Sequence, residues 1–506
     1  MKKGALMDHM KDNFKRTPRN YTLMTDAYEY TMSDAYIRKG LENDIAVFDL
    51  FFRQVPNGGG YVVMAGLDKV TDLIKGLHFG EEELGYFRAN GYSDEFIAYL
   101  KNFKFTGDIY AIPDGTPVFP NEPLITVRAP IIQAQILETA ILSIVNGATE
   151  HATAARRIIE ACPKGVSVME FGARRADGCE AAADASIYAV MAGCSGTSNV
   201  LAAKMMGTKA LGTMAHSFVE AFDSEFEAFM NFAECYPDNC ILLADTYDTL
   251  RSGVVNAIRT FDCMKEKGLL TDHIGIRIDS GDLAYLSKKA REMLDEAGYP
   301  NAGICLSNGL NAETIESLII QGAKFNSLGV GDNISKPAGR MGAVYKAVAF
   351  IRDGKTIPKM KLSNDIIKIV NPGFKKLYRC YDRKTGYALA DVMCLCDEKI
   401  SGETLTIVNL QDFIKSSDIS DFDLIPLQKT IFKDGELVYE DPSVSEKRLF
   451  CEQQMQTLYP EVRRTLNPHE YYVDGTKAYA EFKNGMIREI KRKIQETCFR
   501  RPQQGA

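Results

Sequence analysis

Residues 274–283 read IGIRIDSGDL, a short apolar run that ends in a charged turn. Ile274, Ile276 and Ile278 suit a strand, Ser280-Gly281-Asp282 breaks it, and a helix is expected to follow from Leu283. The same rhythm of strand, loop and helix recurs along the middle of the chain. Strands are expected at Val166–Glu170, Ala210–Met214, Ile241–Asp245, Ile274–Asp279, Gly303–Ser307, Phe325–Val330 and Ala343–Phe350. Helices lie between most of them. Seven or eight such units point to a parallel α/β barrel rather than an open sheet.

The C-terminal ends of these strands carry the polar residues. After the first come Glu170, Arg174 and Arg175, and after the second His216. The third ends in Asp245, and the fourth supplies Arg277, Asp279, Ser280 and Asp282. Ser307-Asn308-Gly309 and Gly329-Val330-Gly331, with Asp332 behind them, close the fifth and sixth. In α/β enzymes this face holds the chemistry. A single polar strand end is ordinary, but six in succession are hard to explain as structure alone.

On either side of this region the pattern differs. Tyr21–Arg38 reads as a helix with Thr25 or Asp26 available to cap it, and Asp44–Arg53 as a strand broken by the Gly58-Gly59-Gly60 turn. Another helix is expected from Tyr61 to about Leu77, and short antiparallel strands with tight turns from Ile109 to Val127. Ile131–Ala161 carries a long helical pattern interrupted only by Gly147. Asp434-Gly435 marks a hairpin, and 443–466 and 477–496 read as surface helices. The implied division is a β-rich N-terminal domain over 1–130, a catalytic α/β barrel over 131–360 and a smaller C-terminal region over 361–506.

Composition sets the limits. With 506 residues, 45% of them hydrophobic and 25% charged, the chain can build a large core. A formal net charge of −7 argues against a general nucleic-acid binder, yet leaves room for anionic small substrates held by a local basic cluster. The N-terminal stretch MKKGALMDHMKDNFKR lacks the apolar core of a signal peptide, and no apolar run is expected to reach a membrane span. The 12 scattered cysteines suit reduced thiols in a cytoplasm, and Cys394-Leu395-Cys396 has no second pair to make a zinc site.

The two Gly-containing turns suit a phosphate held by backbone N–H groups. Arg174, Arg175 and Arg277 can meet a phosphate or carboxylate through two hydrogen bonds, the alternative being an ion pair with Glu170 or Asp279. Asp245, Asp279 and Asp282 are candidates to hold Mg²⁺ through water. His216 is either a reactive group at a strand end or a buried histidine bonded to backbone. The pattern by itself stops at a barrel enzyme acting on a phosphorylated, anionic small molecule.

Longer motifs go further. Thr25-Asp26-Ala27-Tyr28, Phe51-Phe52-Arg53, Glu170-Phe171-Gly172-Ala173-Arg174-Arg175 and Ser198-Asn199-Val200-Leu201-Ala202 occur in order. They are followed by Gly212-Thr213-Met214-Ala215-His216-Ser217, Asp245-Thr246-Tyr247-Asp248, Arg277-Ile278-Asp279-Ser280-Gly281-Asp282-Leu283 and Gly342-Ala343-Val344-Tyr345-Lys346. Leu466-Asn467-Pro468-His469-Glu470-Tyr471 completes the set. In these motifs, over nearly the whole length, the chain resembles the nicotinate phosphoribosyltransferase family in its longer bacterial form.

The resemblance implies an irregular, TIM-like α/β barrel beside a β-rich N-terminal domain and a smaller C-terminal domain. It implies a cytoplasmic homodimer with active sites at the subunit interface, and no nucleic-acid or membrane partner. The implied reaction joins nicotinate to phosphoribosyl pyrophosphate (PRPP), coupled to hydrolysis of ATP with Mg²⁺ and a phosphorylated His216. The catalytic set is then His216, Asp279 and Arg174. Tyr28 (from the partner subunit), Phe171, Ser198, Thr213 and Arg277 are implied for nicotinate. Arg175, Asp245, Asn308, Gly309, Gly329, Gly331 and Asp332 are implied for PRPP, with the metal ligands unassigned.

The related nicotinamide enzyme carries an aspartate near Ser198, which suits a neutral amide and repels a carboxylate; a serine donates to the acid instead. Asp332 departs from the threonine common at that position, and a carboxylate beside a phosphate loop needs a partner or must turn away. A phosphoribosyltransferase for nicotinamide or quinolinate, and an inactive sensor of NAD precursors, are the competing readings.

Overall fold

The computed structural model describes residues 20–363, 368–400 and 403–499. The chain forms two compact units: one of residues 150–338 and 443–449, the other of the described residues in 15–149, 339–442 and 450–506.

The first unit is α/β. Its six parallel strands are β1 (Ser167–Glu170), β2 (Gly196–Thr197), β3 (Cys240–Leu243), β4 (Ile274–Ile278), β5 (Gly303–Ser307) and β6 (Ser327–Val330). They lie in the order β2-β1-β6-β5-β4-β3. Helices α1 (Cys179–Met191), α2 (Val200–Met205), α3 (His216–Glu220), α4 (Glu225–Cys235), α5 (Val254–Glu266), α6 (Leu283–Glu296), α7 (Ala312–Ile320) and α8 (Asp332–Ser335) connect them. Four helix starts have a side-chain cap: Asn199, Ser224, Asp282 and Asn311 each accept a hydrogen bond from the first turn of α2, α4, α6 and α7.

The barrel expectation is corrected in two places. Residues 210–214 form no strand; Ala210 is exposed and only Leu211 N–H bonds back, to the Thr197 carbonyl at 2.8 Å. Three apolar residues, split by Gly212 and Thr213, are too few to make a strand buried on both faces. Gly196–Thr197 pairs with β1 instead, so β2 and β3 are the edges of an open sheet. The run at 343–350 does form a strand, Val344–Arg352, but it pairs antiparallel with Ile45–Phe51 in the other unit. Tyr345, Val348 and Ala349 are buried in this strand, and the neighbouring Ile45–Phe51 is buried on both faces, so it lies inside the second unit's core.

The second unit carries a seven-stranded sheet in the order 355–358, 344–352, 45–51, 125–130, 108–111, 429–433, 436–437. A six-stranded sheet from residues 375–476 accompanies it. Asp434 and Gly435, both at positive φ, make the expected hairpin turn. The helix expected from Tyr61 begins only at Leu67, because Val62–Val63 pairs with Pro117–Val118 and Gly66 turns the chain at φ 103°. Gly60 is required by packing: a Cβ there would lie 2.0 Å from the Val462 carbonyl oxygen. Its glycine therefore serves an approach of chain to chain.

The long helical pattern breaks at Ile136–Leu137 into Ile131–Gln135 and Glu138–Glu160, with Gly147 inside the second helix. By length and composition residues 131–160 are apolar enough to cross a membrane, contrary to the sequence expectation; 67% of the apolar window is buried, as in a core helix.

Candidate active site

The C-terminal ends of β1, β4, β5 and β6 gather one polar constellation in the α/β unit. Arg277 is the only charged residue in β4, a strand otherwise made of buried isoleucine and glycine. Its Nε donates to Ser307 Oγ at 2.9 Å, its Nη1 to Thr213 Oγ1 at 3.2 Å and its Nη2 to Asp279 Oδ1 at 2.9 Å. The Arg277 side chain is only 15% exposed, so a charge with three fixed acceptors stands almost out of water. Over it lies the Phe171 ring, with the guanidinium carbon 5.4 Å from the ring centroid.

Phe171 follows β1 and has room because residue 329 on β6 is glycine. A Cβ on Gly329 would sit 2.5 Å from two carbons of the Phe171 ring. Gly329 is itself buried, whereas Gly331 is partly exposed and Asn308 and Gly309 are exposed at positive φ. The site thus has an aromatic face, a cation and an exposed Gly-containing turn on neighbouring strand ends.

Glu170 is fully buried and pairs with no arginine among the described residues. It accepts from Gly172 N–H, from Ser186 Oγ at 2.8 Å and from Thr197 Oγ1 at 2.6 Å, tying β1, β2 and α1 together. Arg174 is exposed on the turn Ala173–Arg175 and has no ion pair or hydrogen bond among the described residues. Arg175 meets Asp332 at 3.1 Å, so the carboxylate that looked out of place beside a phosphate turn has a cation to face. Both members are more than half exposed, and the pair contributes roughly 0–1 kcal/mol. Ser198 is partly buried and its N–H bonds to the Glu170 carbonyl at 2.9 Å.

His216 opens α3, and its Nδ1 lies 3.1 Å from Thr246 Oγ1. No partner among the described residues takes Nε2. Thr246, within Asp245-Thr246-Tyr247-Asp248, is the residue that orients this ring. Ser307 is a second residue whose role shows only in the fold. Tyr28 belongs to the other unit, 44% exposed, with its phenol pushed above the usual tyrosine range by burial and by Glu138 and Glu29.

The three aspartates proposed for Mg²⁺ do not act alike. Asp282 caps α6, accepting from Tyr285 N–H at 2.9 Å. Asp245 Oδ2 accepts from Asp279 N–H at 3.1 Å and Ser280 Oγ at 2.5 Å, while its Oδ1 is buried without a partner. Among the described residues no three His, Cys, Asp or Glu side chains form a metal cage. An orphaned carboxylate oxygen beside Asp279 fits an Mg²⁺ that brings its own phosphate and water ligands.

An open parallel α/β sheet with its polar residues at the strand ends has the arrangement of an α/β enzyme whose chemistry sits at that end of the sheet. Family models narrow this: the nicotinate phosphoribosyltransferase N-terminal domain matches residues 23–146, the nicotinate phosphoribosyltransferase family 166–383 and the C-terminal domain 374–483. The chain is 40% identical over 485 residues to nicotinate phosphoribosyltransferase of Bacillus subtilis (strain 168), covering 94% of this chain and 97% of that one. It is 34% identical to the Caenorhabditis elegans enzyme of the same name, with 91% and 92% covered. A crystal structure of human nicotinic acid phosphoribosyltransferase superposes with TM-score 0.80 at 27% identity, covering 91% of this chain and 99% of that one. The chain belongs to the nicotinate phosphoribosyltransferase family.

Proposed function

We propose that the enzyme joins nicotinate to PRPP, giving nicotinate mononucleotide and pyrophosphate, as a step of NAD salvage coupled to ATP hydrolysis. The observation that carries this reading is the Arg277 guanidinium between Phe171, Thr213, Ser307 and Asp279. Arginine has five N–H donors, and three have protein acceptors here, so two on the terminal nitrogens are left for a carboxylate. Phe171 offers a face to a pyridine ring next to that carboxylate, and Ser198 adds a neutral donor where an aspartate would repel the acid. Tyr28 stacks on the other side of the ring, contributed by the partner subunit of a homodimer.

The pyridine nitrogen attacks the anomeric carbon of PRPP with its lone pair, so the C–N bond forms as the bond to pyrophosphate breaks. No proton needs removing. Positive charge builds on the ribose in between, and the Asp279 carboxylate is placed to face it, its Oδ2 having no hydrogen bond among the described residues. Arg174, exposed and without a partner among the described residues, is available to the departing pyrophosphate, and Asn308, Gly309 and Gly331 to the 5-phosphate. Gly329 contributes by leaving space for Phe171. Mg²⁺, when bound, would neutralise phosphate charge, and the unpartnered Asp245 Oδ1 is the carboxylate oxygen that would help hold it.

His216 accepts the γ-phosphoryl group of ATP at Nε2 as the bond to ADP breaks, and water later releases it as phosphate; Thr246 holds Nδ1 and so sets the ring's orientation. A phosphorylated His216 adds charge and acceptor oxygens beside the substrates, which biases affinity for PRPP.

The test is product formation from PRPP with nicotinate, nicotinamide or quinolinate, each with and without Mg-ATP. Nicotinate mononucleotide from nicotinate alone, formed faster with ATP, is the expected result. Turnover of nicotinamide in preference overturns the Ser198 argument, and no turnover of any overturns the reading.

A further inference from the structure

We propose that Ser307 is a positioning residue that holds Arg277 to a single oxygen of Asp279 in a three-cornered hydrogen-bond ring and thereby sets the preference for a carboxylate. The inference rests on the reading that Arg277 binds the nicotinate carboxylate. Ser307 ends β5, between Arg277 on β4 and Gly329 on β6, and is 2% exposed. Arg277 Nε–H can only donate, and the ionised Asp279 carboxylate can only accept. The Ser307 hydroxyl between them therefore has one arrangement, accepting from Arg277 Nε at 2.9 Å and donating to Asp279 Oδ1. Arg277 Nη2 closes the ring onto the same Oδ1 at 2.9 Å.

Without the serine, an arginine and an aspartate this close favour the fork in which Nε and Nη2 take one carboxylate oxygen each. That fork would occupy both oxygens of Asp279 and turn the guanidinium. The hydroxyl of Ser307 occupies Nε and leaves Asp279 bound through one oxygen. Asp279 Oδ2 then stays available to the ribose, and the remaining terminal N–H groups of Arg277 stay aimed at the substrate. Asp245 ties the backbone at the same strand end, accepting from Asp279 N–H and Ser280 Oγ.

The consequence is read in selectivity. Ser307→Ala is expected to raise KM for nicotinate about ten- to a hundredfold, the loss of an aligned charge-assisted hydrogen bond. The nicotinate-to-nicotinamide ratio of kcat/KM is expected to fall at least about tenfold, since a neutral amide depends less on the guanidinium. Ser307→Thr, which keeps the hydroxyl, is expected to keep the ratio. Should Ser307→Ala not fold, Ser307→Cys carries the same measurement, because a thiol is a weak donor and acceptor of similar size.

A variant that loses both activities in parallel, or loses thermal stability with an unchanged ratio, assigns Ser307 to packing and overturns the proposal. Unchanged kinetics in the presence of normal wild-type turnover of nicotinate overturns it as well. Absence of nicotinate turnover in the wild type overturns the underlying reading first, and the Ser307 proposal with it.

Discussion

The Arg277 guanidinium carbon lies 5.4 Å from the centroid of the Phe171 ring, which joins the ends of two parallel strands that are not adjacent in the sheet. A planar cation on an aromatic face retains its in-plane donors, so the stacking fixes the arginine without using up its hydrogen bonds.

That geometry makes Arg277→Lys a severe change. Lysine keeps the charge but has neither the planar fork nor the stacked face, and it cannot reach Ser307, Thr213 and Asp279 at once. We expect kcat/KM for nicotinate to fall about a hundredfold with PRPP saturating. Steady-state kinetics checks it; a loss under threefold contradicts the carboxylate role.

The His216–Thr246 contact predicts a separation of the two activities. Thr246→Val removes the hydroxyl that holds Nδ1 while keeping the side chain's shape. ATP-dependent stimulation is expected to drop about tenfold, with ATP-independent synthesis retained. His216→Ala is expected to abolish both the phosphoenzyme and ATP hydrolysis. Acid-labile label from γ-labelled ATP reads this directly, and normal labelling in the alanine variant rules out His216 as the acceptor.

Gly329→Ala tests the aromatic face. The added methyl meets the Phe171 ring at 2.5 Å, so ring or strand must move. Overpacking of this kind costs about 1–3 kcal/mol, and KM for nicotinate is expected to rise about tenfold or more. Gly329→Ala combined with Phe171→Leu should recover stability without recovering affinity, as calorimetry and kinetics on the pair would show.

A pH dependence follows from Lys483 in the second unit. It is 3% exposed, donates to Asn371 Oδ1 at 2.7 Å and to the Leu410 carbonyl at 2.8 Å, and burial with the nearby Lys375 lowers its pKa to about 7. The unfolded chain keeps this amine protonated to about pH 10.4, so between these values unfolding takes up a proton. Its contribution to stability therefore rises with pH from about 7 to 10. Relative to Lys483→Met, the wild type should gain urea resistance across that window. Parallel curves for the two proteins contradict it.

Residues near one another in sequence were the most legible. The β4 run, the Asp434-Gly435 turn and the motif order around Arg277 follow from side-chain size, φ preference and spacing, all of which act within a few residues. The family likewise could be read from its motifs.

Other assignments depended on partners far along the chain. Residues 210–214 are strand-like in isolation, but a strand exists only where neighbours supply its hydrogen bonds, and Gly196–Thr197 took that place. Val344–Arg352 finds its hydrogen bonds against Ile45–Phe51 rather than in the parallel sheet. Glu170 looked like a mate for Arg174 or Arg175, yet burial gave it hydroxyl and backbone donors instead.

The sequence by itself determined the α/β class and the family, and singled out Arg277, Asp279 and His216 as candidates, since these rest on residue type and local order. Only the tertiary structure decided that Ser307 stands between Arg277 and Asp279, that Thr246 orients His216 and that Gly329 is glycine for the sake of Phe171. Hydrogen bonds and van der Waals contact act over a few ångströms of space, and residues 30 or more positions apart meet at that range only after the sheet has folded.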